Sequence, residues 1–430
     1  MILRIAKERN KASSVHKEAV WLLFLTVRIM FSRGTVAEPR ASVFGSKVDA
    51  VFVALDKKGS PNCTLAVVRQ GKVIYESGYG VANLDYNPPI TSSNLYIAST
   101  LRQSTVFSFA LLARQGKLPL DEAITDYFPI PAAVYGSTTV RQLIYHTSGV
   151  QDYFTLSDIV GSGDDRFTQE DLPDLLGRLQ QLNFLPGDQF LYRNSGYVLL
   201  TVLVERLSGK SFRESAAQSI FQPLGMEHTV FRADVTVIVP NRATGDSFKN
   251  GAYNFHAAAF THPGSGGLLP TMNDLFLWEQ NFYHNKLGKR TSSLLREIQT
   301  PGQLTSAKAL TYAFGLEMSE CRGLKMVEHA GASFGYRAPM IRFAAQEFSV
   351  ICLCNSDAIQ VSPDQFARQV ADVCLASGFE QAPATGASAT SAHQAEGTTE
   401  YKAVSVSERD LPTRLGAFEE KKMAQFGKHT

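Results

Sequence analysis

The sequence carries almost no surplus charge: 42 Lys and Arg against 40 Asp and Glu leave +2 over 430 residues. A protein that holds nucleic acid by bulk positive charge needs more than that, so no nucleic-acid partner is expected. Long apolar runs are missing too. No stretch reaches the roughly 20 residues of a membrane-spanning helix, which excludes a polytopic membrane protein. Cysteine is scarce, at 5, with no CxxC pair to hold zinc or cycle a disulfide. Cys352 and Cys354 lie two apart in ICLCN, where a strand points both to one face and keeps them from bonding each other. Cys63, Cys321 and Cys374 stand apart from them and from one another. All five read as small buried hydrophobes rather than a disulfide framework. No HExxH occurs, and His256 and His262 are too far apart for one helix face, so no metal is expected. Gly78-Tyr79-Gly80 lacks the third glycine of a dinucleotide loop; it reads as a turn and implies no cofactor.

What the chain does have is core. Hydrophobic residues make up 44% and charged residues 19%, the balance of a globular protein rather than a disordered one. The length admits two or three domains or one large composite one. Both ends differ from the middle. Arg4, Lys7, Arg9, Lys11 and Lys17 precede the apolar AVWLLFLTV, and Thr35-Val36-Ala37 follows. That order over 1–37 is the order of a secretory signal and predicts export to a periplasm or the exterior; the alternative is an uncleaved anchor associated with a membrane. Residues 378–400 are rich in Ala, Ser, Thr and Gly and read as a linker. A tail over 401–430 is too short for a core of its own. One folded domain over 45–377 remains.

Within it, Thr64–Arg69 and Lys72–Gly78 flank Gln70-Gly71, a hairpin signal. Tyr336–Phe343 and Phe348–Asn355 repeat that pattern around Ala344-Ala345-Gln346. Apolar spacing of three and four predicts helices over Thr105–Gln115, Gln169–Leu182 and Ser195–Ser208. Another is expected over Ser362–Ala376, with Ser362 as cap and Pro363 in the first turn. Strands near both ends with helices between predict an α+β fold. Its antiparallel sheet comes from both chain ends and is flanked by helices, and a mostly helical subdomain is inserted. A cleft between the two parts is the default place for a site.

Three short motifs occur in order. Ser99 opens a helix with Arg102 one turn on, over the same face. Tyr192 and Asn194 lie in PGDQFLYRNSGY, just before a helix. His329-Ala330-Gly331 ends an extended stretch, with Gly331 letting a substrate approach the backbone. Each has an ordinary structural explanation when taken alone. Ser99 could be an N-cap, Asn194 a cap beside a packed Tyr192, and His329 a strand-end histidine.

Together they resemble the penicillin-recognising serine hydrolases, in the class C β-lactamase-related branch with its esterases and D-peptidases. The likeness extends through VVRQGKVIYESGYGVAN, GKLPLDEAITDYFP, VRQLIYHTSGVQDY, PGDQFLYRNSGYVLL, FQPLGMEHTVF and SGGLLPTMNDLFLW. The resemblance implies a β-lactamase/transpeptidase-like fold and a small-molecule or peptide substrate: an ester, lactam or D-amino-acid amide. It implies Ser99 as the acylating serine and Tyr192 and Asn194 as the tyrosine-x-asparagine motif. His329 and Gly331 match the Lys/His-x-Gly strand, and the N–H groups of Ser99 and Ala332 match the oxyanion hole.

One position departs. The family has Ser-x-x-Lys where this chain has Ser99-x-x-Arg102. Lysine can give up its proton when buried; arginine, with a pKa above about 12, cannot, so Arg102 is no base for Ser99. A fixed cation could instead stabilise a Tyr192 phenolate as base, giving an impaired hydrolase. The competing expectation is a non-catalytic protein that binds a carboxylate-bearing peptide or cell-wall fragment through Arg102. Gly331-Ala332-Ser333-Phe334-Gly335 also matches GxSxG, but the extended run after it lacks the helix a nucleophile elbow needs. Oligomeric state has no signature in the sequence.

Overall fold

Unbroken apolar runs make strands buried on both faces. In Cys63–Arg69 every residue but the last is buried, and in Phe348–Cys354 every residue is. The computed structural model describes residues 43–52, 59–114, 120–160, 169, 171–232, 237–256, 262, 264–288, 291–357 and 362–375. Its contacts divide the chain into Met1–Ser46 and Lys47–Thr430, and the sheet, the helices that cover it and the candidate site all belong to the second unit. The expected signal over 1–37, linker over 378–400 and tail over 401–430 lie outside the described residues. No helix among the described residues is long and apolar enough to cross a membrane.

The strands of the main sheet are β1 (Cys63–Arg69), β2 (Lys72–Gly78), β3 (Glu317–Cys321), β4 (Leu324–His329), β5 (Ala332–Ser333), β6 (Tyr336–Arg337), β7 (Met340–Phe343) and β8 (Phe348–Cys354). They form one sheet in the order β2-β1-β8-β7-β4-β3, with the short β6 pairing both β8 and β5. Every pairing is antiparallel. The sheet is therefore built from both ends of the fold, and the described residues between Ser99 and Glu297 hold helices and two small two-stranded sheets. At the first hairpin Gln70 and Gly71 take φ of 50° and 72°, the left-handed pair that matches strand twist in a two-residue turn.

Four helices frame the sheet and the candidate site: α1 (Arg102–Arg114), α2 (Asn194–Ser208), α3 (Met272–His284) and α4 (Pro363–Leu375). Helices α3 and α4 pack on opposite faces of β8, because side chains alternate along a strand. Ser349 meets Glu279 of α3, whereas Cys352 faces Asp364 of α4. Glu279 also pairs with Arg342 at 3.2 Å, with side-chain exposures of 0% and 2%. The Ser349 hydroxyl donates to the second carboxylate oxygen at 2.7 Å. Removing one partner of such a pair strands the other charge in the core. Glu279→Ala should therefore cost about 3–5 kcal/mol, seen as a lower urea midpoint at constant m-value. An unchanged midpoint would mean that Arg342 finds water once its partner is gone.

The structure corrects the cysteine reading. Cys63 and Cys354 face each other across β1 and β8 and are disulfide-bonded, 291 residues apart in sequence. Spacing along the chain carries no trace of a contact that only strand pairing creates. Cys352 does share a face with Cys354, its sulfur 3.5 Å away, and stays a free thiol. These three sulfurs make a tight metal-type cluster among the described residues, but two are taken up in the bond. Denatured, unreduced protein should show three reactive thiols with a disulfide reagent, and all five after reduction. Five before reduction would contradict the pairing.

Two expected elements come out shorter. The helix expected over Gln169–Leu182 is regular only over Asp171–Leu176. Gly177 follows, a poor helix former, and Arg178 and Leu179 then bond three residues back, the tight closing turn of a helix end. The strand expected over Tyr336–Phe343 splits into β6 and β7 around Ala338-Pro339. Proline has no N–H for the ladder, and Ala338 turns to pair with Gly331 instead.

Candidate active site

Ala98 is extended, at φ −125° and ψ 90°, and Ser99–Leu101 form a 3-10 turn that leads into α1. Ser99 is thus the first residue of a turn rather than a cap, and its N–H has no intrahelical acceptor. Gly331 lies against this turn. A Cβ on it would come within 3.1 Å of the Ser99 nitrogen and 2.9 Å of the Thr100 nitrogen, so only glycine fits. The Thr100 hydroxyl donates to the Ala338 carbonyl, fastening the turn to the same strand pair. Gly331 and Ala338 exchange both backbone bonds, at 3.0 and 2.7 Å. Ala332, next along, is then in a non-hydrogen-bonded pair with Arg337, and its N–H points away from β6.

Arg102 opens α1 and is only 4% exposed. Its Nη2 donates to Asn194 Oδ1 at 2.9 Å and to the Ser265 carbonyl at 2.6 Å. The guanidinium carbon lies 4.9 Å from the centre of the Tyr192 ring and 5.1 Å from that of Tyr197. Burial disfavours this charge, but the oxygens of Tyr192, Tyr312, Tyr197 and Tyr153 outweigh burial and hold its pKa above the ordinary arginine value. Arg102 is therefore a permanent cation. Among the described residues its Nε and Nη1 find no hydrogen-bond partner.

Asn194 is held from behind. Asp152 accepts its backbone N–H at 2.5 Å and that of Phe154 at 3.1 Å, while the Tyr153 N–H donates to Ser195 Oγ at 2.8 Å. A carboxylate at the start of α2 also meets the positive end of the helix dipole. Burial raises the Asp152 pKa, against the lowering effects of the Asn194 N–H and the Arg193 charge. The Tyr153 hydroxyl in turn contacts Ser265 Oγ at 3.1 Å and His262 Nδ1 at 3.3 Å.

His329, the last residue of β4, is 1% exposed. Its Nε2 lies 3.4 Å from the Tyr312 hydroxyl, which lies 3.4 Å from that of Tyr197. His146 fills the space among the tyrosines, with ring centres 4.3 Å from Tyr192, 5.0 Å from Tyr197 and 4.9 Å from Tyr312.

The three motifs thus converge. Gly331 touches the Ser99 turn, Arg102 bonds Asn194 and underlies Tyr192, and His329 joins through Tyr312 and Tyr197. Reading the sequence missed Asp152, Tyr153, His146, Tyr197 and Tyr312. The first three lie in VRQLIYHTSGVQDY, noted for its likeness alone; Tyr312 lies in no motif. Gly331–Gly335 spans β5 and the Phe334-Gly335 turn into β6, and no helix follows Ser333.

A family model described as Beta-lactamase matches residues 48–374. Penicillin-binding protein 4* of Bacillus subtilis (strain 168) is 27% identical over 332 residues, covering 72% of this chain and 71% of that protein. A D-aminopeptidase of Gluconobacter oxydans (strain 621H) is 24% identical, covering 75% of this chain and 61% of that protein. Another, of Brucella canis, is 26% identical, covering 69% and 56%. The chain therefore spans less than two thirds of either aminopeptidase. Among solved structures, the octameric penicillin-binding protein homologue from Pyrococcus abyssi aligns at a TM-score of 0.66 and 23% identity, over 77% of each chain. The D-amino acid amidase from Ochrobactrum anthropi SV3 aligns at 0.66 and 22% identity, over 78% of this chain and 100% of that one. At these identities the structural likeness establishes the fold, β-lactamase/transpeptidase-like.

Proposed function

The chain belongs to the beta-lactamase family, and on that ground we propose a serine hydrolase that works through an acyl-enzyme on an ester, lactam or D-amino-acid amide. The observation that carries this reading is the convergence on Ser99. A glycine strand end presses on its turn, and the cation one turn later binds Asn194 beside the Tyr192 ring. Ser99 Oγ attacks the carbonyl and Tyr192 takes its proton. The N–H groups of Ser99 and Ala332 receive the oxyanion. Asn194 orients the substrate, and His329 and Gly331 border its carboxylate or leaving group.

In this mechanism Arg102 acts by charge alone. Among the described residues Arg102 forms no salt bridge; a buried cation of this kind favours a nearby anion, and ionised Tyr192 would supply one. Tyr192 is then the only base, which makes a slower enzyme than one with a proton-sharing lysine. The substrate class fits the relatives, named as D-aminopeptidases and a penicillin-binding protein. Export is part of the proposal, because a disulfide such as Cys63–Cys354 persists in oxidising compartments.

The test is covalent labelling. A fluorophosphonate should add to the full chain with loss of fluoride, read by intact mass, and map to Ser99. Absence of an adduct under all conditions would overturn the proposal.

One observation favours a second reading. Nε and Nη1 of Arg102 are donors without partners among the described residues, and either could hold a carboxylate oxygen without turnover. Thermal stabilisation by a D-amino-acid-terminated peptide, with no hydrolysis and no labelling of Ser99, would select that reading.

A further inference from the structure

The hydroxyls between His329 and the backbone run in one direction. Tyr197 donates to the Ile144 carbonyl at 3.2 Å, a group that can only accept. A phenol has one proton, so that of Tyr197 is committed there. At the 3.4 Å contact with Tyr312, Tyr312 must therefore be the donor. That commits the proton of Tyr312 in turn. At its 3.4 Å contact with His329, Tyr312 must then accept, and the hydrogen has to come from Nε2. Burial pushes the pKa of both phenols up, so both keep their protons at neutral pH.

We propose that Tyr312 is a positioning residue that fixes His329 in the tautomer protonated on Nε2, with the direction set by Tyr197 and Ile144. The partner of one ring nitrogen determines which nitrogen carries the proton. Nε2 is committed to the tyrosine chain, so any proton that His329 gains or passes on moves through Nδ1. The chain also reaches the serine side of the site, because Tyr197 lies over the Arg102 guanidinium at 5.1 Å. The tautomer follows from hydrogen-bond direction alone. Its bearing on catalysis rests on the reading that His329 borders the substrate.

The experiment is long-range proton–nitrogen NMR of the full chain with 15N-labelled histidine, the His329 signal being assigned by its loss in His329→Gln. In the wild-type protein Nε2 should resonate as a protonated nitrogen and Nδ1 as an unprotonated one. Tyr312→Phe removes the acceptor and should shift His329 toward the Nδ1-protonated form. Tyr197→Phe should do so more fully, because Tyr312 is then released to donate to Nε2. A wild-type Nδ1-protonated tautomer overturns the proposal even if neither variant folds. A tautomer unmoved in Tyr312→Phe overturns it as well. For the hydrolase, Tyr312→Phe should raise KM roughly threefold to tenfold, the worth of one hydrogen bond, with kcat changed less. A tautomer shift with unchanged KM would keep the tautomer and remove His329 from the substrate site.

Discussion

Ser99→Ala should lower hydrolysis of an activated ester or a D-amino-acid anilide by about 10⁴-fold or more, and abolish phosphonate labelling. Without Oγ no acyl-enzyme forms, and only the oxyanion donors and substrate positioning remain to accelerate attack by water. The loss should come without unfolding. Contact with Gly331 involves the backbone of the turn, and the fastening bond comes from the Thr100 side chain. A thermal melt close to wild type would therefore accompany the loss. Activity retained within about tenfold would place the nucleophile elsewhere. Ser333 is a poor substitute. It ends β5 and precedes a strand-to-strand turn, with Phe334 at φ 41° and Gly335 at φ 78°, whereas the GxSxG elbow requires a helix after the serine.

Local pattern accounts for what was readable. Apolar-rich runs located β1 and β8, and Gln70-Gly71 marked the hairpin that joins β1 to β2. Period-3.6 spacing located α1 and α2 to within three residues at each end. The three motifs could be picked out because each keeps its residues within three positions of one another in the sequence. What was not readable depends on contacts made through the fold. Cys63 meets Cys354 only because β1 pairs with β8. Tyr312 meets Tyr197 and His329 across three separate segments, and no spacing along the chain records this. Asp152 carried no role of its own in VRQLIYHTSGVQDY, yet the fold gives it the first N–H of α2. The 3-10 turn at Ser99 was hidden for another reason: hydrophobic spacing cannot separate a tight first turn from an α-helical one.

Arg102→Lys should raise the acylation rate, and Tyr192→Phe should lower it by about 10²–10⁴-fold, the worth of a general base. The two effects should not add. On the proposed mechanism the cation cannot lose its proton, which leaves Tyr192 to accept the one from Ser99. A lysine at 102 would sit in the same pocket, where burial lowers an ammonium pKa toward neutrality, and could share the proton. Losing the tyrosine should then cost much less in the Arg102→Lys background, and the double-mutant cycle measures the difference. Binding should move the other way. Arginine stacks on Tyr192 and Tyr197 and bonds both Asn194 and Ser265, which a single-headed ammonium only partly replaces. A gain in acylation rate with weaker substrate binding would show that the arginine trades base strength for a fixed charge. Slower acylation in Arg102→Lys would mean that the pocket is built around the guanidinium itself, and the carboxylate-binding reading would then be the stronger one.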